Sequence, residues 1–251
     1  MIDLHNHLLP GIDDGSRSVQ QSVRVLRSFV AQGVTDVICT PHLLASQAEL
    51  GWPDRYEDAW NALMAEVPEG MTLHRGAEVM LDRPIGPHIA ERRVTLNGSR
   101  YLLVEFQRMV PAEIVTRALA DIARHGVIPL LAHAERYSSS SVASVRVWRD
   151  AGAVIQVDAT TMTLPRSRGE RARDIVREGL ADVLAADNHG DDRSVATALE
   201  WLTERDAAEQ AMLLLDTNPR AILEDKATYE VDPLMIRRSA WTSVRRILRG
   251  E

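Results

Sequence analysis

The chain has 251 residues, 45% hydrophobic and 26% charged, with a formal net charge of −7 and one cysteine. That length supports one sizeable core, and a barrel of this size can be a single domain. No apolar run approaches the roughly 18 residues of a membrane span, a lone cysteine excludes an intrachain disulfide framework, and the acidic balance argues against non-specific binding to nucleic acid.

The elements repeat in chain order. Residues 2–5 read as a first strand. The opening Met-Ile-Asp-Leu-His lacks the basic-then-apolar layout of a signal peptide, so the expected location is cytoplasmic. Ser18-Val19-Gln20-Gln21 reads as a capping box. Val19, Val23, Leu26 and Val30 then share one helical face. Gly33 stands at C′, where glycine adopts a left-handed conformation without penalty. A strand over 34–40 follows and leads to Pro41-His42. Further strands are expected at 72–77, just before Glu78, and at 101–106, which contains Glu105. The helix–glycine–strand pattern recurs from Pro111 through Gly126 into 127–132 and His133. It recurs again through Gly152 into 154–157 and Asp158, and through Gly179 into 182–186 and Asp187.

Helices alternating with short apolar strands imply a parallel sheet with helical crossovers. About seven such units suffice to close an α/β barrel, which carries its catalytic groups at the C-terminal ends of the strands. An open doubly wound sheet is the alternative. It needs a crevice at a switch point, and no glycine-rich phosphate loop marks one.

Polar residues gather at those strand ends. His5 and His7 are spaced to share a strand face, and Asp187-Asn188-His189 repeats the spacing. Asp13-Asp14-Gly15 alone reads as turn chemistry. Five of the eight histidines, His5, His7, His42, His133 and His189, fall at or just past strand ends. Glu105 lies between apolar neighbours, so its carboxylate needs a cation or strong hydrogen bonds. A nitrogen and oxygen ligand set without thiolate suits Mn²⁺, Zn²⁺ or Fe²⁺, and so many ligands imply two or three ions. Paired ions can clamp both oxygens of a phosphoryl displacement and supply hydroxide at neutral pH. Arg136 and Arg193 stand beside these residues and suit bidentate phosphate binding. Cys39 sits in an apolar strand with Ala45 six positions on, so the cysteine phosphatase loop is missing and the thiol reads as inert core.

Taken together, the motifs resemble the polymerase and histidinol phosphatase (PHP) superfamily. They are His5-Asn6-His7, Asp14-Gly15, Thr40-Pro41-His42, Gly76-Ala77-Glu78, His133-Ala134-Glu135-Arg136-Tyr137 and Asp187-Asn188-His189. Within it the chain is similar to the bacterial manganese-dependent protein-tyrosine phosphatases of capsule and exopolysaccharide operons, over about residues 1–223. The resemblance implies a single-domain distorted (β/α)7 TIM-like barrel, the PHP fold. It implies that His5, His7, Glu78 and Asp187 hold a first ion, and that Glu78 bridges to a second held with Glu105 and His133. Asp14, His42 and His189 would hold a third. It further implies Mn²⁺ as the metal, with Fe²⁺ or Zn²⁺ as alternatives, and Arg136 and Arg193 as phosphate ligands beside Asp187 and His189. The implied reaction is metal-activated hydroxide attack on phosphotyrosine in the tail of a bacterial tyrosine kinase that regulates polysaccharide synthesis. A small-molecule phosphatase of the histidinol-phosphate type, a nuclease and an inactive binding module are the alternatives. Asp158 departs from the pattern, which leads one to expect an uncharged polar group there.

Residues 224–251 form a basic extension. A helix is expected over 232–249, with Leu234, Trp241, Val244 and Leu248 in one stripe among Arg237, Arg238, Arg245, Arg246 and Arg249. It reads as a helix packed on the barrel wall, a docking element for the kinase or an oligomer partner, or a peripheral contact with anionic lipid.

Overall fold

A computed structural model describes residues 1–91 and 93–234. Its strands are β1 (Ile2–Asn6), β2 (Asp36–Cys39), β3 (His42–Leu44), β4 (Thr72–Arg75), β5 (Glu78–Met80), β6 (Tyr101–Glu105), β7 (Ile128–Leu131), β8 (Val154–Asp158) and β9 (Val183–Ala185). The helices are α1 (Val19–Ala31), α2 (Ala45–Ala48), α3 (Asp54–Met64), α4 (Ala112–Arg124), α5 (Val142–Asp150), α6 (Ser167–Arg177), α7 (Ala196–Thr203), α8 (Ala208–Met212) and α9 (Asn218–Leu223). All strand pairs are parallel. They run β1-β2-β4 in one sheet and β3-β5-β6-β7-β8-β9 in the other.

The two sheets are one layer with two broken strands. The sequence suggests single strands over 34–40 and 72–77. The structure interrupts the first at Thr40-Pro41 and the second at Gly76-Ala77, then resumes each as β3 and β5. The ladder continues across the breaks through Gly76 N–H to Cys39 O and Glu78 N–H to Pro41 O, both 3.1 Å. Pro41 cannot donate to a ladder. A Cβ on Gly76 would lie 2.7 Å from Leu96. His42 and Glu78 therefore open the resumed halves instead of trailing the strands.

Counting each broken pair once gives the seven-strand α/β barrel. At the β9–β1 seam a single bridge joins Asn6 and Asn188. The Asp3 carboxylate reinforces it by accepting from the N–H of Ala186 at 3.1 Å and of His5 at 3.4 Å. The inner face holds Ile2, Leu4, Ile38, Leu103, Leu130 and Val183, while the helices pack on the outer face through residues such as Leu26, Phe29, Leu119 and Trp148. The distortion has a sequence cause. The β5–β6 crossover carries Pro84, Gly86 and Pro87, and in its described residues it forms only short 3₁₀ turns, Pro87–Glu91 and Leu96–Gly98. No described helix is long and apolar enough to cross a membrane.

Local signals fare well at the helix ends. Ser18 caps α1 through Gln21 N–H, and Gly33, Gly126, Gly152 and Gly179 all have positive φ. The capping box closes differently from its usual form, because the Gln21 side chain accepts from Arg17 N–H and not from Ser18.

Beyond α9 the chain runs along the barrel floor. Asp225 accepts from Arg100 N–H and Nε, Tyr101 donates its hydroxyl to Lys226 O, and Val231 is buried. Leu234 N–H reaches Arg177 O. The rest of the expected 232–249 helix lies outside the described residues. At Gly179, φ is +65° and an added Cβ would meet Val231 O at 2.3 Å. Gly126 has φ +80° and nothing within 4 Å. Gly126→Ala should cost about 1 kcal/mol from the left-handed backbone alone. Gly179→Ala should cost at least about 1 kcal/mol more, because the strap must also move. Urea unfolding of both variants checks this, and equal losses would show that residues 231–233 do not pack there.

Candidate metal centre

The barrel's C-terminal rim delivers its polar side chains through local irregularities. From Asp3 to Asn6, β1 spends three residues where β2 spends two, from Val37 to Cys39. That extra residue switches the inward parity, so His5 and His7 face the interior that Ile2 and Leu4 face lower down. At the ends of β7 and β9, His133 and Asp187 adopt left-handed backbone with φ of 32° and 48°. Non-glycine residues adopt that region at a cost and are concentrated at functional sites. Asn188 holds the loop after Asp187, donating to Asp191 O and Arg193 O and accepting from Gly190 N–H.

Four side chains converge on one point. His5 Nε2 and His7 Nε2 are 3.2 Å apart, and each lies 3.3 Å from both Glu78 Oε2 and Asp187 Oδ1. Both imidazole nitrogens thus face both carboxylate oxygens at nearly equal distances. His5, His7 and Asp187 form one group of ligand atoms that could hold an ion, and His5, Glu78 and His133 form another. Glu78 Oε2 is buried and makes no hydrogen bond, although His42 Nδ1 also lies 2.9 Å away. A buried carboxylate oxygen in that position is costly unless a cation meets it. These residues therefore fit a divalent ion.

The neighbouring groups adjoin this cage. His133 Nε2 lies 3.0 Å from Glu78 Oε1 and 3.4 Å from Glu105 Oε1. Asp14 Oδ1 lies 3.5 Å from His42 Nε2 and 3.4 Å from His189 Nε2. His7, Asp14, His42 and His189 form one group that could hold an ion, and His42, Glu78 and Glu105 form another. All nine residues singled out as ligands in the sequence thus meet at one rim.

The structure adds residues that the motifs do not include. Asp13, read above as turn chemistry, accepts from His7 Nδ1 at 2.8 Å and from His42 N–H at 3.0 Å. Gln156 Oε1 lies 3.1 Å from His5 Nδ1 and accepts from His133 N–H at 2.8 Å. Such partners fix the tautomer that points Nε2 inward. A glutamine between Ile155 and Val157 on an inward strand position was the available signal.

The two arginines share a carboxylate. Arg136 Nη2 donates to Asp187 Oδ2 and, at 2.6 Å, to Asp158 Oδ2. Arg193 Nη1 lies 3.6 Å from Asp187 Oδ2, and Arg193 also pairs with Asp191. Neither guanidinium stands free, but Arg136 Nη1 makes no hydrogen bond among the described residues. The charged Asp158 that departs from the motif is the partner of Arg136, which holds its carboxyl below the ordinary range against the effect of burial. Cys39 is buried, and burial pushes its thiol up to about 12.

The family model for capsular polysaccharide synthesis, CpsB/CapC, matches residues 1–224. The tyrosine-protein phosphatase CpsB of Streptococcus pneumoniae is 28% identical over 241 residues, 90% of this chain and 99% of that protein. The tyrosine-protein phosphatase YwqE of Bacillus subtilis is 31% identical over 140 residues, 54% of this chain and 55% of that protein. A chain from the crystal structures of YwqE and CpsB, described as unique metal-dependent tyrosine phosphatases, superposes with a TM-score of 0.79 at 23% identity. It covers 95% of this chain and 100% of its own. The phosphotriesterase of Mycobacterium tuberculosis superposes with a TM-score of 0.60 at 14% identity, covering 91% of this chain and 95% of its own. At these identities both structures speak to the fold alone.

The charges at the rim oppose one another. Burial alone would lower His5 and His7, but Glu78 and Asp187 raise His5, while Asp13, Asp187 and Glu78 raise His7 well above its ordinary value. Burial would raise Glu78, yet the imidazoles around it hold it well below the carboxylate range. Burial and then Glu78 push Glu105 up to about 7, and burial and Arg136 push His133 down to about 4. Protonated His5 and His7 must lose protons before their nitrogens can bind a cation. Titrating chelator-stripped protein with Mn²⁺ should therefore release protons, and affinity should keep rising as the pH climbs above the ordinary histidine range, because both groups are raised. Calorimetry in two buffers of different ionisation enthalpy measures it; uptake without proton release would mean that these histidines are not ligands.

Proposed function

The chain belongs to the capsular polysaccharide synthesis CpsB/CapC family, and from that premise we propose that it is a metal-dependent protein-tyrosine phosphatase. The observation that carries the reading is the buried cluster of His5, His7, Glu78 and Asp187, in which each imidazole Nε2 lies 3.3 Å from both carboxylates, with Glu78 shared by the adjoining groups. In this reading those four residues hold a first divalent ion. Glu78, Glu105 and His133 hold a second, and Asp14, His42 and His189 hold a third. Mn²⁺ suits this mixed donor set better than Mg²⁺, which prefers oxygen and keeps its waters. Ions so placed acidify bound water and neutralise charge on phosphoryl oxygens.

The chain's own residues supply position and charge. Asp187 directs Oδ1 to the cage and Oδ2 to both arginines, so both guanidinium groups stand beside the cage where a phosphoryl group would bind. His133, low at about 4, is neutral at physiological pH and keeps its lone pair available. Cys39, buried and with its thiol raised, is not offered as a nucleophile. The substrate in this reading is the phosphotyrosine tail of a bacterial tyrosine kinase, reached in the cytoplasm without nucleic acid.

Exhaustive chelation should abolish hydrolysis of a phosphotyrosine peptide, and Mn²⁺ should restore it better than Mg²⁺. Histidinol phosphate and single-stranded DNA should be poor substrates. Full activity without metal, or a preference for either competitor, would overturn the reading. Arg193→Ala should keep its metal content and lose about 1.5–3 kcal/mol of transition-state binding, the worth of a charge-assisted hydrogen bond. Arg136→Ala is the poorer probe, because it also strands the buried Asp158 and Asp187. Unchanged kcat/KM in Arg193→Ala would remove that residue from the phosphate site.

A further inference from the structure

An apolar groove opens directly beside the candidate metal centre. It measures about 530 Å³ and is floored by Leu81, Ile85, Phe106, Val110 and Ile114 between the 81–85 segment and α4. Two of its lining residues adjoin Glu105 of the centre: Phe106 follows it in the chain, and Leu81 N–H donates to Glu105 O at 2.9 Å. The Phe106 ring stands edge-on to Tyr137, whose own ring lies 6.2 Å from His133. Toward solvent, Ile114 and Met109 are 46% and 80% exposed. Two guanidinium groups border the groove. Arg83 makes one hydrogen bond, to Ser46 O. Arg117 has no ion pair among the described residues, and the nearby Asp121 is taken by Arg124. In a chain of net charge −7, this is a local patch of positive charge over an apolar floor.

We propose that this groove binds the polypeptide flanking the phosphotyrosine, seating an apolar side chain on its floor and a neighbouring carboxylate against Arg117 and Arg83. The inference rests on the phosphatase reading and narrows its substrate class. A small phosphate ester has no flanking side chains to place in the groove, whereas an extended polypeptide advances about 3.3 Å per residue and carries them outward from the phosphotyrosine. An apolar floor gives affinity, and the arginines give charge selectivity at the rim. Substrates with an apolar residue and an acidic residue near the phosphotyrosine are thus preferred over free phosphotyrosine.

Steady-state kinetics of the Mn²⁺-loaded full chain test this with p-nitrophenyl phosphate, free phosphotyrosine and two peptides. One peptide carries leucine and glutamate near the phosphotyrosine, and the other carries leucine and lysine. Ile114→Glu should lower kcat/KM for the glutamate peptide roughly tenfold, mostly through KM, as expected for losing the burial of one apolar side chain. Both small substrates should change less than about twofold, because the groove lies outside their reach. Arg117→Glu should shift preference toward the lysine peptide. Equal loss on peptide and p-nitrophenyl phosphate, or no loss on either, would overturn the proposal. So would a change in oligomeric state of Ile114→Glu with unaltered peptide kinetics, which would mark the groove as a self-association face. If wild-type protein hydrolyses none of these substrates, the phosphatase reading fails and the groove proposal falls with it. Hydrolysis of small and peptide substrates with equal kcat/KM sinks the groove alone.

Discussion

A buried carboxylate oxygen among imidazoles that do not hydrogen-bond to it governs this molecule. Glu78 Oε2 has His5, His7 and His42 nitrogens within 2.9–3.3 Å and bonds to none of them. Burying such a group uncompensated costs several kcal/mol. Protonated histidines repay part of that cost, and a divalent cation beside Oε2 would repay it more fully. Around this constraint the rest of the rim makes physical sense. The broken strands set His42 and Glu78 at the start of resumed halves. The extra residue in β1 turns His5 and His7 inward. The left-handed backbone at His133 and Asp187 bends each strand end into the site.

The same constraint explains the outer partners. Asp13 and Gln156 hold the far nitrogens of His7 and His5, so the near nitrogens keep their lone pairs inward. Asp187 ties the cage to both arginines, so the placement of the two guanidinium groups depends on the same side chain as the cage. Asp3 fastens the seam two residues before His5 and one residue before Asp187, through Ala186 N–H. Stability at the seam and geometry at the site are therefore not separable there.

Much of this was legible in the sequence because it depends on local rules. Glycine at Gly33, Gly126, Gly152 and Gly179 marks helix ends through backbone sterics, and apolar strands between them mark a parallel barrel. The nine ligand candidates were legible because barrel topology brings strand ends together whatever lies between. What escaped depends on register and on pairing across the chain. The extra residue in β1 has no composition signal. The break falls at Gly76, where a side chain would meet Leu96, twenty residues on. Arg136 read as a phosphate ligand from its position beside His133, but its two carboxylate partners lie on β8 and after β9, where only the tertiary fold could place them. Gln156 was visible as a polar residue in an apolar strand, yet its role required knowing that its face points at His5.

Crystals grown with Mn²⁺ and measured on both sides of the manganese absorption edge give the most direct test. If the cage holds the ions, an anomalous peak stands about 2.0–2.2 Å from His5 Nε2, His7 Nε2, Glu78 Oε2 and Asp187 Oδ1, with further peaks beside His133 and between Asp14 and His189. Full Mn²⁺ uptake in solution with no anomalous peak inside this rim, or with peaks only elsewhere on the molecule, would contradict it.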